Sequence, residues 1–249
     1  AQPAIGVTSL SMLALLRELG VQADCVGGHS FGEVTALHAA GVLTESDMVK
    51  VARKRGELMA EAARTPGSMT AVPRDLADLQ PLLDEWQLDV VVANHNSPRQ
   101  VVLSGPTDAI ETCEAKLQAA GLPFKRLPVA TAFHSSVVSA STAPFEAFLG
   151  KVDFGSVQVP VYANSEAAPY PKTKKAQRRT LANQLAKGVR FVEQIDAMYE
   201  AGVRTFVEVG PNSVLTKLVG QCLKGRAHKA VELDRRKRSG HASLAHALG

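Results

Sequence analysis

The chain has 249 residues, of which 45% are hydrophobic and 21% charged, so it is long enough for one large globular domain or two. It contains no apolar run long enough to cross a bilayer and no basic leader of a secretory signal at its start. Its formal net charge of +4 is mild, and the basic runs at 172–179 and 234–238 carry no interleaved aromatic residues. Nucleic-acid binding is therefore not expected, and solvated surface is favoured over a landing surface for an acidic protein.

Three cysteines, Cys25, Cys113 and Cys222, lie far apart and lack the spacing of a zinc site. Disulfides and a bound metal are therefore not expected. Free thiols predict a cytoplasmic protein.

The first 65 residues alternate between helix and strand signals. An amphipathic pattern predicts a helix over 8–19, and a short apolar strand precedes Gly27. A helix over 34–41 ends at a glycine. The sequence "TESD" at 44–47 resembles a capping box and predicts a longer helix that continues to Ala63.

The middle of the chain predicts a unit that is complete in itself. Its predicted elements are a strand at 68–72, a helix at 75–85, strands at 89–94 and 100–105, a helix at 107–120 and a strand at 123–129. This βαββαβ order is that of a ferredoxin-like fold. We therefore predict an inserted subdomain over 66–129 within a larger α/β domain formed by 1–65 and 130–249.

The larger domain continues after the insertion with alternating elements. They are predicted as a helix from about Ser136, a strand at 159–164, a helix at 191–200, a strand at 204–210, a helix at 213–224 and a strand near Val231. Residues 169–175 are the most loop-like segment. The tail after Arg226 is predicted to pack back on the core.

A Gly-x-Ser-x-Gly pattern, Gly28 to Gly32, lies where the first strand meets a helix. Such a sharp turn holds the hydroxyl of Ser30 clear of the backbone. The backbone N–H of Phe31, at the start of the helix, then points at an oxygen lying over Ser30. The alternative is an ordinary glycine-rich turn with a capping serine.

A serine nucleophile needs a base, and His134 is the best placed of the histidines because it follows the insertion, at a natural cleft edge. The alternative for His134 is a histidine in a satisfied hydrogen bond at a helix start. The other six histidines are less well placed. His29 is adjacent to the serine, His38 lies on the helix that follows it, and His95 lies in the hairpin of the insertion. The polar tail contains the remaining three, His228, His241 and His246.

Five motifs in order, "GHSFGE", "RGELM", "NHNSPRQVVLSG", "TAFHS" and "VEVGPNSVLTKL", resemble the malonyl-CoA:acyl carrier protein transacylase family. That family includes the acyltransferase domains of type I polyketide synthases. The resemblance covers nearly the whole chain, and "GHSFGE" and "GVRFVEQI" are similar to the iterative enediyne and polyunsaturated-fatty-acid synthases. It implies an α/β-hydrolase-like core with a ferredoxin-like insertion, in agreement with the elements above.

The resemblance implies that Ser30 is the acylated nucleophile and His134 the base of a Ser–His dyad. Arg55, in "RGELM", matches the arginine that holds the free malonyl carboxylate, for which a planar guanidinium is suited. Gln184 falls where the family has an Asn or Gln whose carbonyl orients the histidine.

The pocket and its rim are implied in the same way. Asn94 and Asn96 match asparagines near the pantetheine route, and His29 and Met59 belong to the substrate pocket. Phe133, in "TAFH", resembles the signature of malonyl-selective domains, although a threonine replaces the first residue of that signature.

The implied reaction transfers malonyl from CoA to the phosphopantetheine thiol of an acyl carrier protein. It uses no bound cofactor, and the expected partners are that carrier protein and neighbouring synthase domains such as a ketosynthase. The family's Gly-Gln-Gly-x-Gln strand, which supplies a second oxyanion N–H, does not occur in the sequence. Phe31 is then the only oxyanion donor expected from these residues, and loss of one donor costs on the order of a hundred- to thousandfold in rate.

Two other classes of protein stay open as alternatives. A serine hydrolase shares the Gly-x-Ser-x-Gly pattern, but it would need an acidic residue to orient the base. The candidates between serine and histidine, Asp89 and Asp108, both lie in the insertion, and Arg55 would have no purpose. A non-catalytic docking domain is the other class, and the intact set of Ser30, His134 and Arg55 argues against it.

Overall fold

The computed structural model describes residues 2–129 and 131–249. The predicted start of the second core segment, Ala130, lies outside the described residues. The helices are α1 (Gln2–Glu18), α2 (Gly32–Ala39), α3 (Glu45–Ala62), α4 (Leu76–Trp86), α5 (Thr107–Ala119), α6 (Thr142–Leu149), α7 (Lys174–Asn183), α8 (Phe191–Glu200), α9 (Val214–Cys222) and α10 (Gly240–Leu248), with a 3-10 helix at Ser136–Ser141 before α6. The strands are β1 (Val26–Gly27), β2 (Gly67–Val72), β3 (Val91–Ser97), β4 (Gln100–Pro106), β5 (Lys125–Arg126), β6 (Val161–Tyr162), β7 (Val189–Arg190), β8 (Thr205–Glu208) and β9 (Lys229–Glu232).

The middle segment forms an antiparallel sheet with strand order β5-β2-β4-β3, which is the ferredoxin-like arrangement that the sequence predicts. Side chains alternate across this sheet. Val101 and Leu103 of β4 pack with α4 and α5, whereas Val102 between them faces the other side with Met69 and Ala93. That second side also contacts Phe133, which places the subdomain against the larger domain next to His134.

The larger domain consists of helices packed around short parallel strand pairs. β1 pairs with β6, and β8 pairs with β9. One hydrophobic cluster joins α2, α3, α6 and α7, and a second joins β6, α8 and α9. β7 extends the subdomain's sheet by pairing in parallel with β3, so a strand of the larger domain binds the two units together. The predicted α/β fold, a hydrolase-like core with a ferredoxin-like insertion, is confirmed.

Several predicted boundaries are wrong, and local chemistry explains them. β5 has 2 residues rather than the predicted span 123–129, because Pro123 and Pro128 cannot donate to a strand ladder. The predicted loop at 169–175 ends earlier than expected, because the Thr173 side chain accepts a hydrogen bond from the Ala176 N–H and starts α7. By contrast, the cap predicted at Thr44 is present, with its side chain bonded to the Asp47 N–H at 3.1 Å.

Other differences concern element type and extent. α1 begins at Gln2, earlier than the predicted residue 8, and the predicted helix from Ser136 begins as a 3-10 turn. The strand predicted over 159–164 shortens to β6. The sequence did not indicate β7 or α10. Within the described residues, no helix is both long and apolar enough to cross a membrane.

Candidate active site

A tight turn between β1 and α2 presents Ser30. Its φ of +52° lies in the left-handed region, which a serine seldom adopts. Gly28 is required here because a Cβ at that position would lie 2.0 Å from the Gly32 carbonyl carbon. Across residues 2–129 and 131–249, the Phe31 N–H at the head of α2 has no hydrogen-bond partner. The turn therefore offers a hydroxyl and an adjacent free donor, as the sequence predicts.

The Ser30 hydroxyl contacts His134. The distance from Ser30 Oγ to His134 Nε2 is 2.9 Å. His134 Nδ1 lies 3.0 Å from the Gln184 carbonyl oxygen and 2.9 Å from that of Lys187. Carbonyl oxygens only accept hydrogen bonds, so Nδ1 carries the ring hydrogen and Nε2 is free to accept the serine proton.

The surroundings keep His134 neutral. Its side chain is buried at 4% exposure, and burial, together with the nearby Arg55 cation, lowers its pKa from 6.5 to about 3. The acceptors of Nδ1 are main-chain carbonyls and not a carboxylate. The arrangement is thus a Ser–His dyad, and the acidic third member that a hydrolase would need, Asp89 or Asp108, is not in it.

Arg55 of α3 places a buried cation beside the dyad. Its side chain is 1% exposed, and its Nη2 donates to Ser30 Oγ at 3.2 Å and to Gln184 Oε1 at 3.1 Å. Nη1 lies 3.2 Å from Met59 Sδ, whereas the buried Nε has no partner. In the part of the chain that the structure describes, no carboxylate forms an ion pair with Arg55. Burial lowers its pKa to about 10. The site therefore holds a dehydrated positive charge with no carboxylate of the described residues within 4 Å, although Glu33 lies near enough to interact with it electrostatically.

A buried carboxyl lies behind the turn, on the first turn of α2. Glu33 accepts hydrogen bonds from the Tyr170 hydroxyl and from the Asn164 N–H, the latter at 3.0 Å. Burial raises the pKa of Glu33 to about 7. Sequence reasoning missed these three residues. A signal was available for Glu33, since it is a charged residue on the otherwise apolar face of α2 that carries Val34 and Leu37.

The rim residues lie where the two units meet. His29 Nε2 and Asn96 Oδ1 are 2.7 Å apart, and the His29 ring packs at 5.4 Å from Phe191. Asn94 is buried on β3, but among the described residues its side chain makes no hydrogen bond to Ser30 or His134. Phe133, directly before His134, packs against both the main cluster and the subdomain.

The structure thus brings Ser30, His134, Arg55, Gln184 and Met59 into direct contact and leaves Asn94 apart. Such a site can form a covalent ester on serine, with the attacking hydroxyl deprotonated by a neutral histidine and an anionic substrate group held by arginine. The described residues contain no cluster of three or more His, Cys, Asp or Glu side chains placed for a metal ion.

Comparison with known proteins gives consistent results. The chain is 38% identical over 225 residues to the polyketide biosynthesis malonyl CoA-acyl carrier protein transacylase BaeC of Bacillus velezensis. This match covers 88% of the present chain and 76% of BaeC. It is 36% identical over 231 residues to the polyketide biosynthesis protein ThaF of Burkholderia thailandensis, spanning 91% of this chain but only 20% of ThaF.

Among solved structures, the chain is similar to the acyltransferase domain of an iterative polyketide synthase in enediyne biosynthesis. The TM-score is 0.87 at 31% identity, with 100% of this chain and 65% of that chain covered. A family model described as the acyl transferase domain matches residues 1–245. The chain therefore belongs to the acyl transferase domain family.

Proposed function

We propose that the protein transfers a malonyl group from CoA to the phosphopantetheine thiol of an acyl carrier protein, in polyketide biosynthesis. The observation that carries this proposal is the Arg55 guanidinium, buried 3.2 Å from Ser30 Oγ with no ion-pair partner in the described residues. An unpaired buried cation is costly, and a carboxylate on the substrate would offset that cost. Malonyl has such a carboxylate, whereas acetyl does not.

In the first half-reaction, Ser30 Oγ attacks the thioester carbonyl carbon while His134 Nε2 takes the hydroxyl proton. The Phe31 N–H donates to the resulting oxyanion. The C–S bond then breaks, the thiolate of CoA receives the proton from His134, and malonyl remains as an ester on Ser30. In the second half-reaction, the carrier's thiol gives its proton to His134 and its sulfur attacks the ester carbonyl carbon. The bond from that carbon to Ser30 Oγ breaks, His134 returns the proton to Oγ, and malonyl leaves as a thioester on the carrier.

The surroundings of the reaction are part of the proposal. The CoA thioester and the carrier's phosphopantetheine arm are substrates, and the chain's own residues supply the catalysis without a bound cofactor. The acyl carrier protein and neighbouring synthase domains, such as a ketosynthase, are the proposed partners, in line with the polyketide proteins that the chain resembles. Cys25, Cys113 and Cys222 are all free thiols, which supports a cytoplasmic location.

The proposal is tested by incubating the protein with malonyl-CoA and measuring its mass and the modified residue. We expect one malonyl group, on Ser30, in the unmodified protein and none in Ser30→Ala. Adding a phosphopantetheinylated carrier protein should discharge the ester and leave malonyl on the carrier. Steady release of free malonate with no transfer to the carrier would instead indicate a serine hydrolase, and no acylation would indicate a docking domain.

A further inference from the structure

Asn164 lies in the loop after β6 with no exposed surface, and its main chain is held from two directions. Its N–H donates to Glu33 Oε2 at 3.0 Å, and its carbonyl oxygen accepts from the Arg190 N–H at 3.0 Å. These two bonds tie Asn164 to α2 on one side and to β7 on the other. The main chain from which the Asn164 side chain extends is therefore fixed relative to the turn at Gly28 to Gly32 that presents Ser30.

The Asn164 amide bridges the backbone of that turn. Its Oδ1 accepts from the Ser30 N–H at 2.7 Å, and its Nδ2 donates to the Gly28 carbonyl oxygen at 2.5 Å. The second Nδ2 hydrogen is used by Gln194 Oε1 at 2.9 Å. One side chain thus pairs with the N–H and the C=O of residues two apart, as a neighbouring strand would. All of its strong hydrogen-bonding groups are occupied.

The hydrogen bonds from Asn164 hold Ser30, whose backbone has an unfavourable conformation. Ser30 has a φ of +52°, a conformation that persists only where the surroundings hold it. Its N–H is held by Asn164, and its carbonyl oxygen accepts from Gln184 Nε2 at 2.7 Å. With the Ser30 N–H engaged in this way, the donor left beside the hydroxyl is the Phe31 N–H, which has no partner in the described part of the chain.

We propose that Asn164 is a positioning residue for the acyl-transfer reaction. It holds the Ser30 backbone in the left-handed conformation that aims Oγ at His134, and it keeps the Ser30 N–H away from the substrate. Asn164 does not touch the substrate, so its role is to set the geometry of the attack and not to bind malonyl-CoA. The inference rests on the proposed function.

The test separates acylation from binding. In Asn164→Ala, we expect the rate of Ser30 acylation by malonyl-CoA, followed by quenched-flow mass spectrometry, to fall about a hundredfold, the cost of a small misplacement of reacting atoms. The dissociation constant of malonyl-CoA, measured with Ser30→Ala present in both proteins to prevent turnover, should be unchanged. A parallel weakening of binding would show a general disruption of the pocket and would overturn the proposal.

A matched control is Gln177→Ala. Gln177 is 2% exposed, and its Nε2 donates to the Pro171 carbonyl oxygen at 3.0 Å, so it is also a buried amide bonded to main chain in the larger domain. Because the Gln177 side chain makes no hydrogen bond to the turn among the described residues, this variant should lose stability without losing the acylation rate. An equal loss of acylation in Gln177→Ala and Asn164→Ala would count against a specific role.

Two further measurements apply even where the alanine variant does not fold. Asn164→Asp keeps the shape and the acceptor for Ser30 but presents an oxygen to the Gly28 carbonyl, so its acylation rate should also fall about a hundredfold. In the unmodified protein, hydrogen exchange measured by NMR should be slow at the Ser30 amide and faster at the Phe31 amide. An acylation rate in Asn164→Asp equal to that of the unmodified protein, or fast hydrogen exchange at the Ser30 amide, would refute the proposal. Failure of the unmodified protein to acylate would instead refute the proposed function.

Discussion

Replacing Arg55 with alanine should change which acyl group the enzyme accepts. The malonyl carboxylate would lose its charged hydrogen bonds to the guanidinium, each contributing about 1.5–3 kcal/mol. Since about 1.4 kcal/mol corresponds to a factor of ten, the loss of one such bond lowers malonyl transfer about ten- to a hundredfold, and the loss of two lowers it further. Acetyl carries no carboxylate, so acetyl transfer should be kept or improved.

The structure indicates that this substitution leaves no isolated charge in the site. Removing Arg55 takes away a cation that lowers the pKa of Glu33, but that pKa is about 7 even with the cation present. Glu33 is therefore expected to take up a proton in the variant and not to remain as an isolated buried charge. Gln184 loses one bond from Arg55 Nη2 but keeps its own bond to the Ser30 carbonyl oxygen at 2.7 Å.

The assay compares the acylation rates of Ser30 by malonyl-CoA and acetyl-CoA in the unmodified protein and in Arg55→Ala. Arg53→Ala is the control, because Arg53 lies on the same helix with its side chain 79% exposed and pairs with Glu57 at the surface. Arg53→Ala should leave both rates unchanged. A uniform loss on both substrates in Arg55→Ala, with the fold intact by circular dichroism, would mean that Arg55 is structural and that the specificity assignment is wrong.

Three further predictions concern substrate size, pH and the turn. Malonyl-CoA should acylate Ser30 faster than methylmalonyl-CoA does, since a methyl branch beside the Phe133 ring costs about 1–3 kcal/mol. Phe133→Ser should reduce the difference between the two acylation rates, and equal rates in the unmodified protein would contradict the predicted preference. His134, whose pKa is lowered to about 3, must be neutral to act as the base. Followed by NMR, the His134 ring should therefore stay neutral between about pH 8 and about pH 5 and take up a proton only at lower pH; a midpoint near 6.5 for this ring would show that the histidine is not desolvated. Gly28→Ala should destabilise the protein by about 1–3 kcal/mol or more in urea unfolding, whereas Gly32→Ala should not, since an added Cβ there meets no atom of the described residues within 4 Å. Similar unfolding midpoints for the two variants would show that the close approach of Gly32 is not the reason for a glycine at position 28.

The sequence predicts the parts of the site that have a local signature. Ser30 lies in a short pattern with glycines at the crowded positions, and the strand and helix around it follow from hydrophobic periodicity. The subdomain is predicted for the same reason, because its helices and strands are long and regular. Arg55 and His134 could be assigned only through a family resemblance, since nothing in their own neighbourhoods distinguishes them from a surface arginine and an ordinary hydrogen-bonded histidine.

What the sequence does not predict depends on contacts between distant segments. Asn164 and Ser30 are 134 positions apart, and a buried amide in the loop after a two-residue strand has no periodic pattern. The Gln184 side chain was missed for a similar reason: the resemblance implies a role for a carbonyl there, but the amide's own bonds to Ser30 and Arg55 require the folded arrangement. β7 was missed because a two-residue strand is visible only once its partner, β3, is in place.

The short stretch from Gln184 to Arg190 serves both units at once. Its carbonyls at Gln184 and Lys187 hold His134, and its last two residues extend the sheet of the inserted subdomain. Gly188, between Lys187 and β7, lies so close to β3 that an added Cβ would meet the Val92 carbonyl oxygen at 2.7 Å. An exchange of the subdomain between relatives, by engineering or in evolution, must therefore preserve its fit to this stretch, or the base loses its orientation even though every residue of the dyad is retained.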